Sequence, residues 1–126
     1  MQIFQLYDMI YTVVNVFVFV FLSFLRGMAM ERYVKTAKIF KALSDPKRVK
    51  IVDMLSCGEM CACLLLKSFE ITQPTLAHDM KVLSEAELVI SRREGKNTFY
   101  SLNWDTIKKM NIVLQDTLKQ HPEKKK

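Results

Sequence analysis

Ile71-Thr72-Gln73-Pro74-Thr75-Leu76-Ala77-His78-Asp79-Met80-Lys81-Val82-Leu83 is the stretch around which the rest of this 126-residue chain can be organised. The Thr72 hydroxyl can cap free backbone N–H groups, and Pro74 is tolerated within a first helical turn. Leu76, Met80 and Leu83 recur at i, i+4 and i+7, so a helix beginning here buries one face. Gln73, Thr75, Ala77, His78 and Lys81 are left toward solvent or a ligand. The Gln73 amide can bond an adenine edge, Thr75 and His78 can reach bases or phosphates, and Lys81 can neutralise a phosphate. Such a helix reads as a DNA-recognition element, although Lys81 taken alone is equally an ordinary solvated charge.

Upstream, Glu59 to Phe69 holds Met60, Leu64, Leu65 and Leu66 and reads as a short helix, with Cys61 and Cys63 in its first turn. Downstream, the strand-like runs Leu88 to Arg93 and Thr98 to Leu102 enclose Glu94-Gly95-Lys96-Asn97. This is a β-hairpin signal, with Gly95 supplying the backbone angles a tight turn needs. Arg92, Arg93 and Lys96 cluster on the hairpin, where long cationic side chains reach a phosphate backbone or a minor groove. Two short helices followed by a basic hairpin make a winged helix-turn-helix, mainly α with a small β-hairpin. Its DNA-binding set is Thr72, Gln73, Thr75, Ala77, His78, Lys81, Arg92, Arg93 and Lys96.

Farther out, Glu31 to Leu43 places Tyr33, Ala37 and Phe40 at helical spacing, with Arg32, Lys35, Lys38 and Lys41 on other faces. Ser44 or Asp45 offers a cap and Pro46 suits a first helical position. A second helix is therefore expected from Pro46 to Leu55, burying Val49 and Val52, with Ile51 as a further candidate, and ending before Gly58. The last helix, Asp105 to Gln120, carries Ile107, Met110, Leu114 and Leu118 along one stripe, the mark of packing against another surface. Residues 122–126 form a basic tail.

The formal charge of +6 arises entirely after residue 30, because Asp8 and Arg26 cancel in the first thirty residues. A small basic domain points to a polyanionic partner, here double-stranded DNA. Three cysteines without a C-x-x-C pair or a secretory cleavage site argue against a disulfide framework and for reduced thiols in a cytoplasmic protein. A free cysteine alone commonly serves as a small buried hydrophobe, but Cys57, Cys61 and Cys63 lie close together. The only histidines, His78 and His121, are not placed beside a cysteine and an orienting carboxylate, so nucleophilic catalysis lacks its parts and no enzyme is expected.

Residues 1–30 form a hydrophobic extension. Met9 to Leu25 is uncharged, at the lower limit of the ~17 to 25 residues that span a bilayer. If it spans, Arg26 and the basic remainder keep the following domain, residues 31–121, on the cytoplasmic side. The other reading is a mis-assigned start: Met28 and Met30 precede the first amphipathic helix, and Arg26-Gly27 can be encoded by a purine-rich string like a ribosome-binding site. N-terminal mass analysis of the native protein separates the two, since a peptide beginning near residue 1 removes the second.

From Tyr33 to about Asn103 the chain resembles the ArsR/SmtB family of metalloregulatory transcriptional repressors. The resemblance is carried by Phe40-Lys41-Ala42-Leu43-Ser44-Asp45-Pro46-Lys47-Arg48, Glu59-Met60-Cys61-Ala62-Cys63, Thr72-Gln73-Pro74-Thr75-Leu76 with Val82-Leu83, and Glu94-Gly95-Lys96 followed by Tyr100-Ser101-Leu102. It implies a homodimer built largely from the first and last helices, with Tyr33, Ala37, Phe40, Ile107, Met110, Leu114 and Leu118 at the seam. It also implies repression of an operon in the ion-free state and release of operator DNA when an inducer binds. Two residues depart from the family pattern: Leu64 stands where an acidic residue is usual, and Ala77 where a hydroxyl is usual.

Within that family the Cys-x-Cys marks arsenic- and antimony-responsive members and a cadmium/lead-responsive group. The resemblance therefore makes Cys61 and Cys63 the ligands of As(III) or Sb(III), with Cys57 the third. Cd(II) or Pb(II) is the alternative, although cadmium members draw further cysteines from an N-terminal extension and none precedes Cys57. Zinc members use an Asp-x-His pair that the last helix lacks. A thiol-based redox sensor and a membrane-tethered regulator remain alternatives of other kinds. On a regular helix, side chains at i and i+2 point apart, so one ion taking both cysteines is expected to distort the first turn. A helix N-terminus favours the thiolate that such an ion requires.

Overall fold

A computed structural model describes residues 2–119; the expected tail at 122–126, and His121, lie outside them. The chain divides into two compact units, with the boundary between Val34 and Lys35. The first is the leading part of helix α1 (Gln2–Ala42). Through this unit every described residue is exposed, and α1 is the one helix among the described residues long and apolar enough to cross a membrane by length and composition. Only Glu31 to Leu43 was expected as helix. The regular structure begins far earlier because nothing between residues 2 and 42 breaks it, Gly27 being tolerated at a cost of ~1 kcal/mol.

In the second unit, Asp45 ends the connection after α1 by capping α2 (Pro46–Leu55): its carboxylate accepts from Lys47 N–H at 2.8 Å. Pro46 occupies the first turn, where its missing N–H costs nothing. Ile51 and Leu55, four apart, form the buried stripe. Val52 is half-buried, but Val49, expected inside, is 48% exposed because it falls outside the stripe those two residues define.

The turn after α2 leads into β1 (Met60–Cys61) and then α3 (Ala62–Ser68). Thr72 caps α4 (Gln73–Glu85), its hydroxyl accepting from Thr75 N–H at 3.3 Å. Leu76, Met80 and Leu83 are buried as the spacing predicts, and Asp79 is buried with them. The C-terminus of α4 closes with Glu87 N–H on Ser84 C=O at 2.9 Å and Leu88 N–H on Leu83 C=O at 3.0 Å, a Schellman motif. Its left-handed position, φ 60°, is filled by Glu87, where glycine is the usual occupant. Glu87→Gly is therefore expected to raise stability by up to ~1 kcal/mol; a lowered urea midpoint would refute this.

The wing is β2 (Val89–Glu94) and β3 (Asn97–Leu102), paired antiparallel from Val89 with Leu102 to Glu94 with Asn97. Gly95, φ 60°, takes the first of the two turn positions. The expected hairpin is part of a larger object: β1 adds to the outer side of β3 and makes a three-stranded sheet in the order β1-β3-β2. Along Phe99 and Tyr100 the outer side of β3 is thus paired by β1. Helix α5 (Trp104–Leu118) follows. Ile51, Leu55, Leu65, Met80, Leu83 and Leu88 form the centre of the core, each at most 1% exposed, so α2, α3 and α4 are fixed against one another and against the base of the wing.

Candidate functional site

Cys61 is the last residue of β1 and the N-cap of α3, with extended angles φ −77° and ψ 153°. Its sulfur accepts from Leu64 N–H at 3.3 Å. The expectation that both cysteines sit in one helical turn and point apart is thereby corrected. Because the chain is extended at Cys61 and helical only from Ala62, Cys61 and Cys63 lie with Cα atoms 5.3 Å apart and are joined as a disulfide. This also corrects the expectation of reduced thiols for these two residues. Cys57 is a free, exposed thiol in the turn after α2. Among the described residues no three His, Cys, Asp or Glu side chains converge to hold an ion, so the structure brings together Cys61 and Cys63 but not Cys57.

Every proposed reading residue of α4 except Thr75 is exposed: Thr72, Gln73, Ala77, His78 and Lys81, with Thr75 half-buried and bonded through its hydroxyl to that of Thr72 at 2.9 Å. The wing cations separate into two kinds. Arg92 pairs with Glu59 at 2.7 Å and Glu94 at 2.8 Å, and its guanidinium lies 4.7 Å from the centre of the Phe99 ring. Its hydrogen bond holds the Glu59 carboxyl below its ordinary value of 4.5, with burial a weaker opposing push. A depressed carboxyl contributes stability at neutral pH that fades only as the pH falls through its folded-state value. Arg93 and Lys96 are exposed and engage no carboxylate among the described residues. Of the three wing cations, Arg92 is therefore the one already neutralised from within the domain.

Two residues with no role in the sequence reading connect the reader to the rest of the fold. Asp79, 2% exposed on the inner face of α4, accepts from Arg48 Nη1 at 3.2 Å and Lys47 Nζ at 3.3 Å. Arg48 also donates to the Ala42 carbonyl at 2.6 Å and to Asp45 at 3.5 Å, gathering the end of α1, the cap of α2 and the middle of α4 around one guanidinium. The available signal was that Asp79 falls on the apolar stripe of α4. Glu59 is the second such residue, joining the segment just before β1 to the wing. Through β1, Cys61 faces Phe99 across the sheet, and Phe99 in turn faces Arg92.

The seam expected along the first and last helices is partly occupied. Ile107 and Met110 pack against the domain's own core, and Val113, which the stripe omitted, is the buried residue of α5. Leu114 is half-buried, whereas Ile112 and Leu118 are exposed, as are Tyr33, Ala37 and Phe40. The inner face of α1 in this unit is Thr36, Ile39 and Ala42.

Residues 45–91 match the family model described as "Bacterial regulatory protein, arsR family". The chain is 47% identical over 85 residues to an arsenical resistance operon repressor of Staphylococcus aureus, covering 64% of this chain and 82% of that protein. It is 36% identical over 86 residues to a cadmium resistance transcriptional regulatory protein CadC homolog, also of Staphylococcus aureus, covering 68% and 71%. The solution structure of a homodimeric winged helix-turn-helix DNA-binding domain from Mycobacterium bovis superposes with a TM-score of 0.57 at 25% identity, covering 71% of this chain and 85% of that one. The matched relatives are transcriptional regulators, not enzymes, and the family match runs through α2, α3 and α4 into the start of β2. The chain belongs to the ArsR family of DNA-binding transcriptional repressors.

Proposed function

We propose that this repressor binds operator DNA as a cytoplasmic homodimer and leaves it when As(III) or Sb(III) is captured by Cys61 and Cys63, with Cys57 as third ligand. The observation that carries this reading is the convergence of the Cys61 and Cys63 sulfurs at the N-terminus of α3. Once a thiol reductant has supplied two electrons and two protons and is itself left as a disulfide, the same backbone presents two thiols side by side to a soft, thiophilic ion. In the capture step each thiol gives up its proton, an As–S bond replaces an As–O bond of arsenous acid, and one water leaves per sulfur. Three sulfurs complete a pyramidal centre.

Bringing Cys57 onto the pair requires the turn between α2 and β1 to rearrange. That turn adjoins two supports of the reader. Helix α2 holds α4 through Lys47, Arg48 and Asp79, and β1 holds the wing through Phe99 and Tyr100. Strain in the turn therefore reaches the recognition helix and the wing together. For almost complete release the inducer must prefer the DNA-free state by ~10⁴-fold, or ~5.5 kcal/mol, which metal–thiolate coordination can supply.

Arsenite, antimonite, cadmium, lead and zinc titrated separately against the reduced, DNA-bound protein test the assignment. Release by cadmium or lead at concentrations where arsenite has no effect would overturn it in favour of the alternative ion. A redox reading has one observation of its own, the Cys61–Cys63 disulfide. There, hydrogen peroxide takes two electrons and two protons from the thiols, leaving the disulfide and two waters, and release occurs without any ion.

The exposed seam residues Tyr33, Ala37, Phe40 and Leu118, with half-buried Leu114, are proposed to meet a second copy, and the exposed Ile112 of α5 is added to them. On the DNA side, Lys96 at the wing tip is proposed to neutralise a phosphate. Lys96→Ala should weaken binding to all duplexes alike and lower the slope of log affinity against log salt by about one. Equal slopes in variant and parent would place Lys96 off the DNA.

A further inference from the structure

Side chains alternate across the wing, and the alternation sorts its charges. On β2, Ser91 and Arg93 share one face, while Arg92 and Glu94 share the other. Opposite them on β3, Tyr100 faces Ser91 and Thr98 faces Arg93. Both wing-associated carboxylates, Glu59 and Glu94, are spent on Arg92. The Arg93 face instead lines a groove of about 390 Å³ against α4, where Lys81 and Ser84 form the opposite wall. Met80 and Ala77 complete the lining. No acidic side chain lines it. Among the described residues, the hydroxyls of Ser84, Ser91, Thr98 and Tyr100 make no hydrogen bond within the protein, and Lys81 and Arg93 have no ion-pair partner.

We infer that this groove seats one DNA backbone phosphodiester, held jointly by Lys81 and Arg93 and by the hydroxyls of Ser91 and Thr98. The composition is that of an anion seat: two cations from two different elements, several donors without partners, and no competing carboxylate. The occupant is DNA because the groove is continuous with the DNA-facing side of the reader. Ala77 and Lys81 belong to the same exposed face of α4 as Gln73 and His78, and the small Ala77 side chain leaves the groove open. The hydroxyl donors are neutral, so they fix the phosphate's position between helix and wing without adding to the electrostatic footprint. Arg92, on the far face, takes no part. The inference rests on the reading that the exposed face of α4 meets DNA.

The test is the salt slope of binding to a duplex enriched from a random pool, measured for the full chain and its variants. Glutamine keeps much of the aliphatic stem and removes the charge. If Lys81 and Arg93 share one phosphate, Lys81→Gln and Arg93→Gln each leave the slope nearly unchanged, and the double variant lowers it by ~0.9. Cations on separate phosphates would lower it by ~1.8 in the double variant, and that result overturns the shared seat. An unchanged slope in the double variant overturns it as well. Arg93→Lys in the Lys81→Gln background, which keeps one cation on the phosphate, should keep the parental slope that the double glutamine variant loses. Ser91→Ala with Thr98→Val should weaken binding about tenfold at unchanged slope; no weakening removes the hydroxyls from the seat. A parent whose affinity does not depend on salt would instead refute the DNA-facing reading of α4, separately from the groove.

Discussion

Replacing Cys61 and Cys63 together by serine is expected to leave DNA affinity within about twofold of the parent while abolishing arsenite-driven release. Affinity is retained because neither sulfur supports the core: Cys63 is exposed, and Cys61 is half-exposed at a helix cap. Serine is among the preferred residues at that cap, so its hydroxyl can take over the Leu64 N–H that the sulfur now accepts. Helix α3 should then be as well anchored as before, and thermal unfolding of the variant should not fall. Release disappears because an alkoxide-poor hydroxyl pair offers no soft ligand, which removes the ~10⁴-fold preference on which switching depends. The measurement is fluorescence anisotropy of labelled duplex against arsenite, under reducing conditions, for parent and variant side by side. A double-serine variant that still leaves DNA on arsenite addition would sink the sensor assignment. If the parent responds to peroxide but not to arsenite, the thiols sense oxidation instead.

Asp79→Ala is expected to cost about 2 to 3 kcal/mol of stability, the largest loss from any single charged residue described above. Breaking a buried ion pair by removing one partner commonly costs ~3 to 5 kcal/mol, because the other charge is stranded. Here the remaining cations are partly provided for. Lys47 is exposed enough to turn toward water, and Arg48 keeps the Ala42 carbonyl and Asp45. A cost at or just below the lower end of that range is therefore the better expectation. Asp79→Asn, which retains an acceptor of the same shape, should cost less than Asp79→Ala. Urea unfolding at fixed protein concentration reads both, concentration being held because a dimer's apparent stability depends on it. DNA affinity should fall alongside stability, since Asp79 sets how α4 sits against α2. A change below ~0.5 kcal/mol for Asp79→Ala, the size usual for surface substitutions, would show that the tie is dispensable.

What was legible in the sequence is what local rules decide. Asp45 and Pro46 open α2, Thr72 caps α4, Leu76, Met80 and Leu83 face inward, and Gly95 turns the wing, each within a few residues of its cause. What was not legible depends on partners distant in the chain. Asp79 meets cations 31 and 32 residues away, and Arg92 finds Glu59 at a separation of 33, so neither pairing leaves a local trace. The start of α3 was misplaced for a related reason. Met60 and Cys61 are drawn into extended form by β3, some forty residues downstream, so the helix begins only at Ala62. That shift changes the chemistry of the pair, since an extended Cys61 can meet Cys63 where a helical one could not. Along α5 the apolar stripe reaches the core through Ile107 and Met110, but one turn on it is Val113, not the neighbouring Leu114, that goes in.

The two-residue strand β1 carries a liability as well as a sulfur. Strand β3 is an interior strand only because Met60 and Cys61 lie along its outer side; without them it would end the sheet with a row of open N–H and C=O groups. Such an edge is a template for any extended chain, including a second wing. The segment that carries the thiol is thus also the guard rail of the sheet, and chemistry at Cys61 is confined to movements that keep β3 covered.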